Sequence, residues 1–407
     1  MKKMNTADPN PKYWAEYSNL QCVKHALIRE YLKGWFPKMT LGSSGCRRLL
    51  YIDTHAGRGK HVNGQLGSPL IALTTLLDHA YRDRMLRNAE VRFYFIEGHE
   101  ENAATLRAEL AGRPLTNNVF AEVESGNCFQ IIENAISEME KDGKRMAPAF
   151  IFVDPYGFSL PGKLLQKLLS HPKVELFVNV IWRELDMAIQ QCRGECAPQA
   201  ADAGPTLFEV GPDPVQELAA TRKRECSRAS LEVILNSIFD GDRWRTINAE
   251  GADRRAEQCA ELFRQMTKAK WGTYLRMLDN RRVRYFLLHL TNHPEGRDLM
   301  KECMWKACPN GGFYASKSDS PSQMILLRPE PDFQPLHEWT VERLSAEPKR
   351  WETLTNELRE ELWLSKHLNE VLREMKKNGK LKCDGKFAQT QNPLFRLTPQ
   401  AAMKPLF

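Results

Sequence analysis

The run Tyr51-Ile-Asp-Thr-His-Ala-Gly-Arg-Gly-Lys60 closes a short apolar strand, Arg48–Asp53, with a glycine-rich loop. Gly57 and Gly59 let the backbone come close to a ligand and take positive φ where a turn needs it. A G-x-G alone fits many nucleotide sites, so its neighbours decide. Ser68-Pro69 opens the next helix, with Ser68 expected at the N-cap, Pro69 at the first helical position and helix to Leu86.

Outward from this loop, strands and helices alternate. Val91–Glu97, Val119–Val123, Ala149–Asp154 and Val174–Ile181 read as strands, with Glu100–Leu110 and Phe129–Met139 as helices between them. Ala149-Phe-Ile-Phe-Val153 is apolar throughout, as a strand buried on both faces of a parallel sheet must be. Residues 48–182 are therefore expected to form a doubly wound α/β sheet. Upstream, residues 12–37 read as an amphipathic helix pair ending at Trp35-Phe36-Pro37. Residues 183–268 break the alternation with helical stretches and Pro198, Gly204-Pro205 and Gly211-Pro212. Gly272–Leu278 and Val283–Leu290 then read as a hairpin. The expected organisation is one domain from 1–182 and 269–330, a helical insertion at 183–268 and a second domain at 335–407. In the last, helices Trp351–Leu362 and Leu364–Asn378 and a hairpin over Gly379–Leu397 make a winged-helix pattern.

A chain of 407 residues exceeds one ordinary core. No apolar run approaches the ~20 residues that span a bilayer, and no apolar stretch follows the basic N-terminus. The ten scattered cysteines are expected to be reduced thiols in a cytoplasmic protein. Net charge is +7, and from Lys349 to Lys404 there are 12 Lys/Arg against 7 Asp/Glu. Charge of this kind fits a nucleic-acid footprint or a solvated helical face. Lys366, Asn369, Arg373, Lys376 and Lys377 recur every three or four residues, which places them on one face as a recognition helix in a groove requires.

Two carboxylates end strands at the edge where open α/β sheets bind ligands. Glu97 is placed to accept the two hydroxyls of a ribose. Asp154-Pro155-Tyr156-Gly157 has a more specific use. An exocyclic base amine is a poor nucleophile because its lone pair is delocalised into the ring. A carboxylate and the next backbone carbonyl accept its two N–H groups and aim the nitrogen, while an aromatic ring stacks on the base for about 1–3 kcal/mol. Cys192-x3-Cys196 with Cys226 lacks the spacing of a zinc site, so no metal is expected. His289 and His293 read as structural histidines, and Lys60 and His61 fit either a loop surface or a phosphate contact.

Asp53-Thr-His-Ala-Gly-x-Gly59, Gly67-Ser-Pro-Leu-Ile-Ala72 and Asp-Pro-aromatic resemble ribosomal RNA large subunit methyltransferase J, as does the pair Lys24-His25. The resemblance covers roughly residues 20–180. It implies a class I (Rossmann-like) methyltransferase sheet, S-adenosylmethionine as cofactor and adenine N6 in RNA or DNA as target. It also implies that His25, Asp53, His55, Ala56, Gly57, Gly59, Ser68, Glu97, Gly126 and Asn127 line the cofactor site, with Asp154, Pro155 and Tyr156 catalytic. That family has Asp-Pro-Pro-Tyr, whereas this chain has its aromatic one position early, which looks like the Asp-Pro-Phe-Gly of tRNA guanine-N2 dimethyltransferases. Phe152-Val-Asp-Pro-Tyr-Gly-Phe158, Leu176-Phe-Val-Asn179 and Leu288-His-Leu-Thr-Asn-His293 resemble the three-Cys-motif partner (TcmP) family over the whole chain. That kinship implies a neighbour-encoded, radical-S-adenosylmethionine-like protein with three cysteines as a partner. It also keeps open a catalytically silent adaptor. A nuclease would need a metal-binding carboxylate cluster that the sequence lacks.

Overall fold

A computed structural model describes residues 18–42, 45–194, 228–279, 281–308, 313–316, 331–385, 387 and 391–399. The chain divides into two compact units, Met1–Gly296 with Phe313–Met324, and Arg297–Gly312 with Ile325–Phe407.

The first unit is built on eight strands: β1 (Arg48–Asp53), β2 (Glu90–Glu97), β3 (Val119–Ser125), β4 (Ala149–Val153), β5 (Val174–Val180), β6 (Trp271–Asp279), β7 (Arg282–Thr291) and β8 (Tyr314–Ser316). Their order is β3-β2-β1-β4-β5-β7-β6-β8. β1 to β5 are parallel, and β7 runs antiparallel between β5 and β6. This is the class I, Rossmann-like methyltransferase sheet. β8 pairs parallel to β6 and was too short to be read from sequence.

Period-two alternation gives the sheet two different faces. The helices are α1 (Asn19–Leu41), α2 (Ser68–Leu77), α3 (Arg82–Leu86), α4 (Glu100–Ala111), α5 (Cys128–Lys141), α6 (Gly162–Leu169), α7 (Trp182–Arg193), α8 (Arg228–Phe239), α9 (Ala252–Thr267) and α10 (Pro294–Ala307). On β4, Ala149, Ile151 and Val153 share one core with Leu164 and Leu168 of α6, Leu185 of α7, Ile238 of α8 and Phe263 of α9. On the other face Phe150 meets Tyr31 of α1 at 5.0 Å and Tyr51 of β1 at 6.2 Å between ring centroids.

Several boundaries differ from expectation. The described part of 183–268 is not a separate insertion. α7, α8 and α9 bury their apolar faces in the sheet's own core. α8 comes so close to α6 that a Cβ on Gly162 would run into the Ile238 carbonyl. The predicted helix pair at 12–37 is one helix over its described length, capped by Ser18 and continuing through Pro37 to Leu41. Pro37 cannot donate to the Lys33 carbonyl, and His79 Nε2 donates to it instead at 3.0 Å. Gly67, not Ser68, is the N-cap of α2, and that helix ends at Leu77, before the separate α3.

The second unit contains α11 (Gln334–Ala346), β9 (Lys349–Arg350), α12 (Trp351–Glu357), α13 (Ser365–Lys377), β10 (Leu381–Asp384) and β11 (Leu394–Leu397), with strand order β10-β11-β9. Leu336, Leu354, Leu368, Leu372, Met375 and Phe395 form its core. It also takes in Arg297–Gly312, which the sequence reading assigned to the first domain. Lys301 Nζ donates to the carbonyls of Leu358 (3.1 Å), Glu361 (3.0 Å) and Trp363 (2.8 Å). Those carbonyls follow α12, beyond its regular hydrogen bonding, and Leu358 O also accepts from Glu361 N at 3.0 Å.

Among the described residues no helix is long and apolar enough to cross a membrane, and no group of His, Cys, Asp and Glu could hold a metal. Cys196 and Cys226 lie outside the described residues.

Candidate active site

The carboxyl ends of β1, β2 and β4 are laced together by backbone hydrogen bonds. Thr54 N donates to Phe152 O at 3.0 Å, and Ala56 N to Ile96 O at 2.9 Å. The loop after β1 then turns over the end of β2, with φ of 65° at Gly57 and 86° at Gly59. Gly57 N donates to Glu97 Oε2 at 2.7 Å, and His99 N donates to Glu97 Oε1 at 2.8 Å. Glu97 is thus a loop anchor, accepting one backbone N–H on each carboxylate oxygen. Gly59 O accepts from Gly67 N at 2.8 Å, which brings Ser68 back to the strand end. Gly126 N donates to Glu97 O at 3.0 Å, so Gly126 lies at the same edge. Asn127 serves differently from expectation: its Oδ1 accepts from Phe129 N and Gln130 N, capping α5.

Asp53 is fully buried at the end of β1. Its Oδ1 accepts from His55 N at 3.3 Å, while its Oδ2 has no hydrogen-bond partner among the described residues. Burial pushes its carboxyl up to about 7; the Ser68 hydroxyl opposes this and the Asp154 charge adds to it. The His55 ring bonds Thr54 Oγ1 through Nδ1 at 2.8 Å and meets Cys128 Sγ at 3.6 Å. Burial pulls His55 down to about 4, so the imidazole is neutral at pH 7. Tyr156 stands edge-on to that ring at 6.2 Å and is 42% exposed. It is an aromatic surface at the rim of an otherwise buried site.

Asp154 follows β4 and is held on both oxygens. Lys24 Nζ of α1 donates to Oδ2 at 2.5 Å, and Asn179 Nδ2 of β5 donates to Oδ1 at 2.6 Å. Burial alone would raise its carboxyl, but Lys24, Asn179 and His55 together hold it below the usual carboxylate range. Asn179 Oδ1 is buried with no partner among the described residues. His25 sits beside Lys24; burial, then the charges of Lys24, His61 and Arg29, hold it well below the ordinary histidine range.

The expected site residues Asp53, Ala56, Gly57, Glu97, Gly126 and Asp154 lie together at the strand ends, whereas Asn179 and the contact of Lys24 with Asp154 are absent from the sequence reading. The available signal for Asn179 was a lone amide in the apolar run Val174-Glu-Leu-Phe-Val-Asn-Val180. His289 is structural: fully buried, it bonds Glu175 through Nε2 at 2.8 Å. On α13, Lys366, Arg373, Lys376 and Lys377 are exposed, as a contact face requires. Asn369 is not: it is buried, and its Oδ1 accepts from Trp351 Nε1 at 2.8 Å.

No known family model and no curated protein sequence matches the chain. Among solved structures, the plantazolicin methyltransferase BamL in complex with a triazolic desmethylPZN analog and SAH aligns at 9% identity. It covers 67% of this chain and 86% of that one, with a TM-score of 0.28. Trm1 from Pyrococcus horikoshii with S-adenosyl-L-methionine aligns at 13% identity over 70% of this chain and 60% of that one, with a TM-score of 0.31. Likenesses this distant add nothing to what the strand order shows.

Proposed function

We propose that the chain is an S-adenosylmethionine-dependent methyltransferase acting on an exocyclic amine of a nucleic-acid base, adenine N6 in RNA or DNA before others. The observation that carries this reading is a pair of buried acceptors without hydrogen-bond partners among the described residues, Asp53 Oδ2 and Asn179 Oδ1, on either side of an ionised Asp154. A buried acceptor left unpaired costs about 1–3 kcal/mol, so its presence at a strand-end crevice points to a donor on a ligand.

The donor set fits the cofactor. Asp53 Oδ2 suits the ammonium of its amino-acid part, Glu97 suits ribose hydroxyls, and His25, His55, Ala56, Gly57, Gly59, Ser68 and Gly126 complete the wall. When bound, the cofactor supplies a methyl group on a sulfonium. The chain's own residues do the rest. The two N–H groups of the target amine are taken by acceptors from the set Asp154, Asn179 Oδ1 and the Pro155 carbonyl. Asp154 cannot take its proton from solvent near pH 7 because Lys24 and Asn179 keep it ionised. Tyr156 supplies the stacking face. The second unit, read as a winged helix, brings the nucleic acid.

Calorimetry with S-adenosylmethionine tests the cofactor, and no binding by folded protein removes the reading. Tritium transfer from labelled cofactor into RNA and DNA tests the reaction, with Asp154→Ala as control. Cofactor binding without transfer, alongside capture of a three-cysteine protein encoded next door, would replace the enzyme with the TcmP-type adaptor.

A further inference from the structure

We infer that the second unit grips the phosphodiester backbone sequence-independently, through the carboxyl end of α13 and the first strand of the following hairpin. This rests on the reading that the acceptor base arrives in a nucleic acid, and it specifies how that polymer is held.

α13 buries His367, Leu368, Asn369, Val371, Leu372 and Met375. Its solvent face therefore consists of Lys366, Glu370, Arg373, Glu374, Lys376 and Lys377. The two halves of that face differ. The amino-terminal half offers Lys366 and Glu370, which cancel, and its one amide, Asn369, is turned inward to Trp351. A helix that reads bases from a groove does so with side chains of its amino-terminal turns. Here those turns present no amide or guanidinium to a base edge.

The carboxyl-terminal half is cationic. Arg373, Lys376 and Lys377 are followed by Lys380 and Lys382, all exposed, against Glu374 and Asp384, and Asp384 is already paired with Arg396. None of these five cations has an ion-pair partner among the described residues; Arg373 lies over the Phe387 ring at 5.5 Å, and Lys382 is opposite Arg396 across the hairpin. The turn that joins helix to strand is fixed. Lys380 N donates to Met375 O at 2.9 Å, and Gly379 takes φ of 70°. Cations at a helix's carboxyl end also complement its dipole, which accounts for Lys376 and Lys377. It does not account for Lys380 or Lys382, which lie beyond the helix. Five cations without ion-pair partners among the described residues, from the end of the helix through the turn to the following strand, match a polyanion. Cations set beyond amino-terminal turns that offer no amide or guanidinium match its phosphates and not its sequence, and the one guanidinium among them, Arg373, lies over the Phe387 ring.

The test is fluorescence anisotropy of the full chain with labelled 20-base-pair duplexes of two unrelated sequences, as DNA and as RNA. Contacts to about four phosphates predict a loss of affinity of about 100-fold between about 50 and about 200 mM salt, since each neutralised phosphate contributes a slope of about −0.9. The two sequences should bind within about threefold of one another, and the DNA and RNA arms show which polymer supplies the phosphates. The triple variant Lys376→Ala, Lys377→Ala, Lys380→Ala should flatten the salt slope by more than two while cofactor calorimetry is unchanged. A sequence preference above tenfold, a salt slope unaltered in the variant, or no duplex binding at about 50 mM salt overturns the inference. In each case intact cofactor binding leaves the methyltransferase reading standing.

Discussion

Asp53 and Asp154 are neighbouring carboxylates that the fold treats in opposite ways. Asp154 has a lysine and an amide donor and stays charged; Asp53 has a backbone N–H on Oδ1, the Ser68 hydroxyl as the side chain that favours its charge, and no hydrogen-bond partner on Oδ2 among the described residues. Asp53 is held up to about 7 from 3.8, so without a ligand the fold favours its protonated form. The unfolded carboxyl ionises first as pH rises, so the group's contribution to stability falls from about pH 4 to about pH 7. A cationic donor against Oδ2 reverses the preference. S-adenosylmethionine affinity should therefore rise about tenfold per pH unit below 7 and level off above it. Calorimetry at several pH values measures this, and Asp53→Asn should bind weakly with that dependence gone. Lys24→Met tests the other carboxylate. Loss of an opposite charge typically moves a carboxylate by about 1–3 pH units, so the acid limb of the transfer rate should shift upward by that much. Cofactor affinity should change little, and an acid limb that stays in place would remove Lys24 from this role.

Helix α1 carries Lys24 and is seated by a second polar contact further along it. Tyr31 Oη and Trp35 Nε1 both donate to Glu175 of β5, which His289 Nε2 of β7 also bonds at 2.8 Å. Lys24, Tyr31 and Trp35 recur at helical spacing, while Glu175 and Asn179 lie on one face of β5 by its period of two. One helix face thus meets one strand face at both ends. Glu175→Leu removes the acceptor that Tyr31, Trp35 and His289 share and should cost about 3–5 kcal/mol in urea unfolding. Less than about 1 kcal/mol would show that the seam contributes little. These contacts also explain what sequence could reveal. β1, β2, β4 and β5 were legible because each is a largely apolar run bounded by turns, and β3 because Val119, Ala121 and Val123 alternate with exposed residues. The crevice was legible because its loop and both acids lie at strand ends. Lys24 and Asp154 are 130 residues apart, and no local pattern joins them. The helices of 183–268 looked like an insertion because their apolar stripes have meaning only once the sheet beneath them is known. Asn369 fitted the cationic row by spacing alone, but the Trp351 indole draws it inward.

At the scale of the whole chain, the division into units does not follow the sequence boundary expected near residue 335. It falls inside α10, between Gly296 and Arg297. The reason is the stretch Leu358–Trp363 after α12, whose carbonyls need donors. Lys301 serves three of them, Trp305 Nε1 serves Leu362 O at 2.7 Å, and Arg297 Nε serves Arg359 O at 3.0 Å. Lys301 is buried, and burial pulls it down to about 7, yet its three acceptors match the three N–H groups of an ammonium. Removing these donors leaves several carbonyls unpaired at once, each at about 1–3 kcal/mol, against a typical domain stability of about 5–15 kcal/mol. A fragment of residues 331–407 should therefore lack a cooperative thermal transition, whereas 294–407 should show one. Lys301→Met in 294–407 should lower its melting temperature by several degrees or abolish the transition. A fragment beginning at 331 that melts as sharply as the longer one would show that α10 contributes nothing essential to this unit.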